Sequence, residues 1–229
     1  MAELAIAVAS FVLTHFILSH PLRAPIVARV GEKGFLGLYS LVAFATLIWA
    51  VMAYRAAPIQ QLWLPPLWIL HAGALLMLVA SILFAGSFLA PNPAMVEAGK
   101  VLSRSTEPKG VMGITRHPMM WAFGLWAVVH VASTGRLETL ILAGGIGILA
   151  LVGAWFQDGK KAAQLGDGWA AYAARTSYWP LGAQLSGRLS WSRIWPGILP
   201  VGLGIALYII LVVTHPLVIG KSTGVMAWN

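Results

Sequence analysis

Histidine is the side chain in this 229-residue sequence best suited to do chemistry, and there are six. Three stand directly before proline, as His20-Pro21, His117-Pro118 and His215-Pro216. Neutral imidazole is a good ligand for iron, copper or zinc, and its charge changes near neutral pH. Cysteine is absent, which removes disulfides, iron–sulfur clusters, thiolate-ligated haem and cysteine-bound zinc. Its absence also leaves the redox compartment unmarked. The seven carboxylates fall mostly between the apolar segments, whereas a buried di-iron site would draw about four of them inward. Two histidines from different helices are enough to hold a haem iron. Which histidines can meet depends on the elements that carry them.

Those elements are membrane helices. The chain is 59% hydrophobic and 10% charged, with a mean hydropathy of +0.81, against about 25% charge in a soluble domain. Six segments have the length of a bilayer crossing, which needs about 20 helical residues. They lie near 2–19, 34–54, 67–89, 118–133, 137–156 and 196–219, the fourth being short. The first has no basic leader or evident small-residue cleavage site, so it is expected to stay as an anchor. Gly144, Gly145 and Gly147 should form a small-residue face for close helix packing. The segment 157–195, with its lysines, Trp169, Tyr172, Tyr178 and Trp179, suits a helix lying in the cytoplasmic interface.

The net charge of +8 is read as topology, not as a nucleic-acid surface. Arg23, Arg29, Lys33, Lys100, Arg104, Lys109, Arg116, Lys160, Lys161, Arg175, Arg188 and Arg193 follow the first, third and fifth segments. Only Arg55, Arg136 and Lys221 lie on the other side. The positive-inside rule then places both termini outside the cytoplasm. His15, His20 and His117 fall in a cytoplasmic layer, and His71, His130 and His215 in the opposite one. His117 and His130, thirteen residues apart, are separated by about 20 Å of helix and cannot share a metal.

The stretch GITRHPMMW marks one boundary. Pro118 suits a first helical position and pushes His117 toward extended geometry, so GITR is loop and MMW is membrane. Pro21 should end the first helix, and Pro216 should kink or end the last. Asp158 is expected to close the fifth helix, where a carboxylate opposes the macrodipole. It should therefore pair with Arg116 or a neighbouring arginine, or orient His117.

Five blocks carry a resemblance. FILSHPLRAPIVARVGEKGFLGLYSLVAF, GITRHPMMWAFGLWAVVH, GAWFQDGKK, RTSYWP and THPLVIG follow one another as in the NnrU family, over nearly the whole chain. The resemblance implies a multi-pass bacterial inner-membrane protein associated with denitrification and linked to nitrite and nitric oxide reduction. ITRHPMM, GAWFQD, RTSYWP and THPL are also similar to blocks of plant and cyanobacterial zeta-carotene isomerase, a membrane haem-b enzyme that turns a cis double bond trans. That resemblance implies haem b held by His20 and His117, with looser counterparts at His71, His130 and His215. Arg116 would then stand beside a haem propionate, with Arg23 and Arg104 as further candidates and Asp158 beside them. Met119 stands where the isomerases tend to be polar, and WAFGLW follows the NnrU form.

A further resemblance is to isoprenylcysteine carboxyl methyltransferases, which bind S-adenosylmethionine in a cytoplasmic pocket. Arg116-His117-Pro118, Asp158, Gly166 to Tyr172 and Pro180 carry it. Met120 replaces the expected tyrosine, and Asp158-Gly159 the usual paired glutamates.

The expectation is one all-α membrane domain over 1–229, a six-helix bundle with a cytoplasmic interfacial helix between the fifth and sixth helices. Its partners would be the lipid bilayer, haem, and an apolar polyene substrate or nitrogen-oxide respiratory enzymes. Haem-linked nitrogen-oxide metabolism or redox-gated isomerisation, methyl transfer, and a non-enzymatic assembly role for nitrogen-oxide reductases remain the functional alternatives.

Overall fold

The computed structural model describes residues 1–89 and 107–219. Lys100, Arg104 and Lys221, counted above, lie outside them. The described residues are helical, with no strand among them. The helices are α1 (Ala2–Ser19), α2 (Arg23–Ala56), α3 (Leu67–Leu89), α4 (Val111–Ile114), α5 (Pro118–Thr134), α6 (Leu137–Arg175), α7 (Gly182–Leu185) and α8 (Ile198–Ile219). A 3₁₀ turn, Trp191–Ile194, precedes α8.

Sequence chemistry sets several ends as expected. α1 stops at Ser19, with His20 as its C-cap ahead of Pro21. His117 is the N-cap of α5 and Pro118 its first residue, where the missing N–H costs nothing. Five helices, α1, α2, α3, α6 and α8, are long and apolar enough to cross a membrane. With 17 residues, α5 falls short of the usual length of about 20. Large apolar side chains cover the outside, including Ile198 at 86% exposure, Leu217 at 82% and Leu64 at 81%. Water would penalise such a surface, so the solvent of this multi-pass protein is lipid.

Other boundaries differ from expectation. α2 begins at Arg23, eleven residues before its apolar stretch, and passes through Gly31 at φ 73°, ψ 171°. α6 does not stop near 156 but continues to Arg175, interrupted at Gly166 with φ 51°, ψ −128°. Only glycine takes those conformations readily. Asp158 therefore lies inside a helix, and the dipole argument for its pairing falls. The last helix runs past Pro216 to Ile219, so that proline does not terminate it.

The long helices pack in sequence: α2 on α1, α1 on α6, α6 on α5, α5 on α3, and α3 on α8. Small residues permit the approach. A Cβ on Gly145 would collide with Val8 of α1, and one on Gly147 would sit 2.9 Å from Ala127 of α5, whereas Gly144 meets open space. Two buried clusters result. Leu4, Ala7 and Val8 meet Ala50, Ala53 and Tyr54 at one end of α1 and α2. Ala80, Leu83, Val111, Met112, Ala122, Trp169 and Tyr172 join α3, α4, α5 and the far half of α6.

Candidate functional site

Three of the motif blocks converge at the start of α5. The Thr115 hydroxyl donates to the Tyr178 carbonyl at 2.7 Å, and the Arg116 N–H donates to the Ser177 carbonyl at 2.9 Å. Leu181 N–H reaches the Ile114 carbonyl at 2.8 Å, and Trp121 Nε1 reaches that of Tyr178 at 2.7 Å. The Gln184 side chain donates to the Gly113 carbonyl at 2.9 Å. These bonds tie GITRHP to TSYWP and satisfy backbone groups that would otherwise be buried alone. Gly113 is needed here, because a Cβ would lie 2.5 Å from the Arg193 carbonyl oxygen.

The third block contributes Asp158. Arg116 Nε donates to both its oxygens, at 3.0 and 2.8 Å, and a second guanidinium nitrogen also pairs with Oδ2. His117 Nε2 lies 2.6 Å from Oδ1, and since an ionised carboxylate only accepts, Nε2 carries the proton. Burial alone would raise the Asp158 pKa, but hydrogen bonds from His117 and Arg116 outweigh it and hold the carboxyl below its ordinary value. The His117 side chain is 1% exposed. The pairing expected from the sequence is present, and its cause is burial.

A separate cavity of about 380 Å³ opens between α1, α2, α5 and α6. Along α6 its lining runs from Ile146 to Lys160, about 20 Å of helix. One end of it is apolar, with Phe11, Leu47, Phe123 and Ile146, while Ser19, His20, Gln157 and Lys160 stand toward the end where α1 closes. His15 and Tyr39 lie between, their rings 5.3 Å apart, edge to face.

Ring hydrogen bonds divide the histidines. His15 Nδ1 is 2.6 Å from the Phe11 carbonyl, and His20 Nδ1 is 3.2 Å from that of Phe16 and 2.8 Å from Ser19 Oγ. A carbonyl can only accept, so Nδ1 carries the proton and, in the neutral ring, Nε2 keeps its lone pair. This is the arrangement that prepares a histidine to bind a metal. His117 has the opposite arrangement and is not among the residues lining the cavity.

The structure thus brings Arg116, His117 and Asp158 together, and places His20 in the cavity without His117. Arg23 lies next to His20, pairs with Glu32 at 2.8 Å and sits 5.2 Å from the centre of the Phe35 ring. In the other layer, His130 of α5 and His215 of α8 approach with ring centres 6.2 Å apart. No group of three potential metal ligands occurs among the described residues. His15 was legible in sequence only as a layer neighbour of His20, and Lys160 and Gln157 gave no signal beyond charge and polarity.

An all-helical, multi-pass membrane protein with a histidine-bearing cavity is the class that fold and site define. The NnrU family model, described as NnrU protein, matches residues 3–223, and the chain belongs to that family. It is similar to two plant proteins, each a 15-cis-zeta-carotene isomerase, chloroplastic. The Zea mays protein is 32% identical over 81 residues and the Arabidopsis thaliana protein 35% over 81 residues. Each match covers 34% of this chain and 22% of the plant protein, so the chain matches only about a fifth of those relatives. No solved structure gives a significant match.

Proposed function

We propose that this NnrU protein is a haem-b-binding membrane protein that acts on the double-bond geometry of an apolar, conjugated ligand, by likeness to the reaction named for its plant relatives. The observation that carries this is the cavity with two histidines, His15 and His20, each anchored through Nδ1 to a carbonyl of α1. That donor chemistry fits haem iron, and the aromatic and aliphatic walls fit a flat apolar ring system. Bound haem would supply a redox-active, Lewis-acidic iron.

The rest belongs to the chain. His15, half-buried, is the deeper of the two donors, and His20 is exposed at the mouth. Phe11, Phe16 and Phe123 line the apolar part of the cavity. The Arg116–Asp158–His117 cluster pins the start of α5 to α6, and that fixes Met120 and Phe123 as one cavity wall. In this reading His117 positions a helix and His15 would hold the iron, with His20, five residues along the same helix, at the exposed end of the cavity. A role in nitrogen-oxide metabolism is compatible with such a pigment but draws on no separate feature of the cavity.

Methyl transfer is less well supported. Asp158 is engaged on both oxygens by Arg116 and His117, and Tyr172 is buried in the apolar cluster of α3, α5 and α6. Neither is presented to a cofactor.

The test is spectroscopic. Protein expressed with ample haem should purify with a Soret band. His15→Ala should remove or strongly shift it, His20→Ala should shift it, and His117→Ala should leave its position unchanged while lowering thermal stability. A colourless wild-type protein refutes the haem reading. A Soret band lost with His117→Ala but kept with His15→Ala restores His117 as the ligand.

A further inference from the structure

The histidines of the opposite layer take no part in the cavity. His130 of α5 and His215 of α8 are both half-buried, and each is carried by an apolar helix. An ionisable side chain in such a helix is expensive to keep and marks a functional site by default. α5 and α8 each pack on α3. The two ring planes are nevertheless within 28° of parallel, with centres 6.2 Å apart. One metal ion held between two imidazoles requires just such a separation. A metal–imidazole bond of about 2.0 Å puts each ring centre about 3.2 Å from the ion, so two rings stand about 6.4 Å apart across a linear centre. A bent centre brings them closer.

His130 is prepared for this. Its Nδ1 lies 2.8 Å from the Trp126 carbonyl, which only accepts, so in the neutral ring Nε2 keeps its lone pair. The Trp126 ring, its centre 4.3 Å away, covers the imidazole. His215 has to present only one of its two ring nitrogens, and a bond at the other would orient the ring as the Trp126 carbonyl orients His130. The donor set selects the ion. No group of three potential ligands occurs among the described residues, and two neutral imidazoles bring no negative charge. Structural zinc takes four ligands, and an uncompensated divalent charge is costly in an apolar layer. Copper(I) is monovalent, accepts imidazole and is satisfied by two donors in a line. We infer that His130 and His215 form a two-coordinate copper(I) site that clips α8 to α5. The inference does not depend on what the cavity binds.

The test offers copper(I) alone. Full-length protein, expressed without added copper or haem and reconstituted in phosphatidylcholine nanodiscs, competes without oxygen against a chromophoric copper(I) chelator, bicinchoninate. Wild type should withdraw one equivalent of copper. His130→Ala and His215→Ala should each weaken binding at least tenfold. His130→Met, which offers a thioether in place of the imidazole, should retain copper(I). The double variant His15→Ala, His20→Ala, confined to the cavity, should bind as wild type does. X-ray absorption of that copper-loaded double variant should show two nitrogen neighbours. Copper(I) should also raise the midpoint of thermal unfolding of wild type, because it binds the folded state, and leave that of His130→Ala unmoved.

Copper(I) uptake that survives both alanine changes, or that disappears with His15 and His20 instead, overturns the inference. So does a wild-type protein that takes up no copper. If the alanine variants fail to fold, X-ray absorption of the double cavity variant decides, two nitrogen neighbours upholding the site and three or four overturning it. In haem-loaded protein, a Soret band abolished by His130→Ala or His215→Ala would make the pair a haem site and overturn the copper assignment. A protein that stays colourless with haem, yet takes up one copper(I) at His130 and His215, refutes the haem reading above and upholds this one.

Discussion

At the scale of single residues, Asp158 decides how the most conspicuous motif is used. Its carboxylate holds an arginine and a histidine with side-chain exposures of 15%, 15% and 1% for Asp158, Arg116 and His117. Removing one partner of such a group leaves the others uncompensated. Asp158→Asn should therefore destabilise the protein by about 3 kcal/mol, read as a fall in midpoint of thermal unfolding in detergent. The pH dependence has a definite sign. The folded pKa of Asp158 lies below its ordinary value, so its contribution is complete above about pH 4, the unfolded range of an aspartate. It is lost as pH falls through the lower folded value. Wild type and Asp158→Asn should differ by a constant amount from pH 5 to 6 and converge on acidification below pH 4. A gap that stays constant down to pH 2 would show that Asp158 acts through packing alone. From sequence, Arg116, His117 and Asp158 could be grouped because they share a depth. Which ring nitrogen of His117 met the carboxylate could not be read, since that depends on the rotation of α5 against α6.

At the scale of helices, apolar run length located all the long elements, and the errors came where polarity and helicity part company. α6 was expected to end near 156 because charge begins there, yet Lys-Lys-Ala-Ala-Gln-Leu is a good helix former in any solvent. The glycine that interrupts α6, Gly166, follows Leu165 directly, about three helical turns beyond residue 156. Packing distances were less legible still. Gly144 and Gly145 are adjacent and look equivalent in sequence, but only Gly145 faces α1. Gly145→Ala should press on Val8 and cost about 1–3 kcal/mol, the usual range for overpacking. Gly144→Ala meets nothing within 4 Å and should leave stability equal or raise it by up to about 1 kcal/mol through helix propensity. Thermal unfolding of the two variants side by side checks this. A Gly144→Ala protein that loses as much as Gly145→Ala would mean that α6 presents a different face to α1.

At the scale of the molecule, the number of crossings and the sidedness are one question. Five crossings would put the termini on opposite sides of the membrane, and six would put both on one side. α5 is the helix that decides, since at 17 residues it is about 26 Å long, slightly under a thin bilayer core of about 27 Å. Its contacts show the depth it covers. A short connection from Thr134 to Leu137 joins it to α6, yet at its other end His117 meets Asp158, 22 positions into α6. α5 therefore runs antiparallel to the whole apolar part of α6, and the sixth crossing expected from the sequence is the one that a topology test decides. With the six crossings expected from the sequence, and Lys160, Lys161 and Arg23 in the basic layer, the positive-inside rule predicts that the polar end of the cavity faces the cytoplasm. Reporter fusions at Asn229 should then behave as periplasmic, and reporters inserted after Ser186, on the cavity-mouth side, as cytoplasmic. A cytoplasmic Asn229 with a cytoplasmic Ser186 would remove one crossing between them. A periplasmic Ser186 would set the charge bias of the surrounding loops against the positive-inside rule.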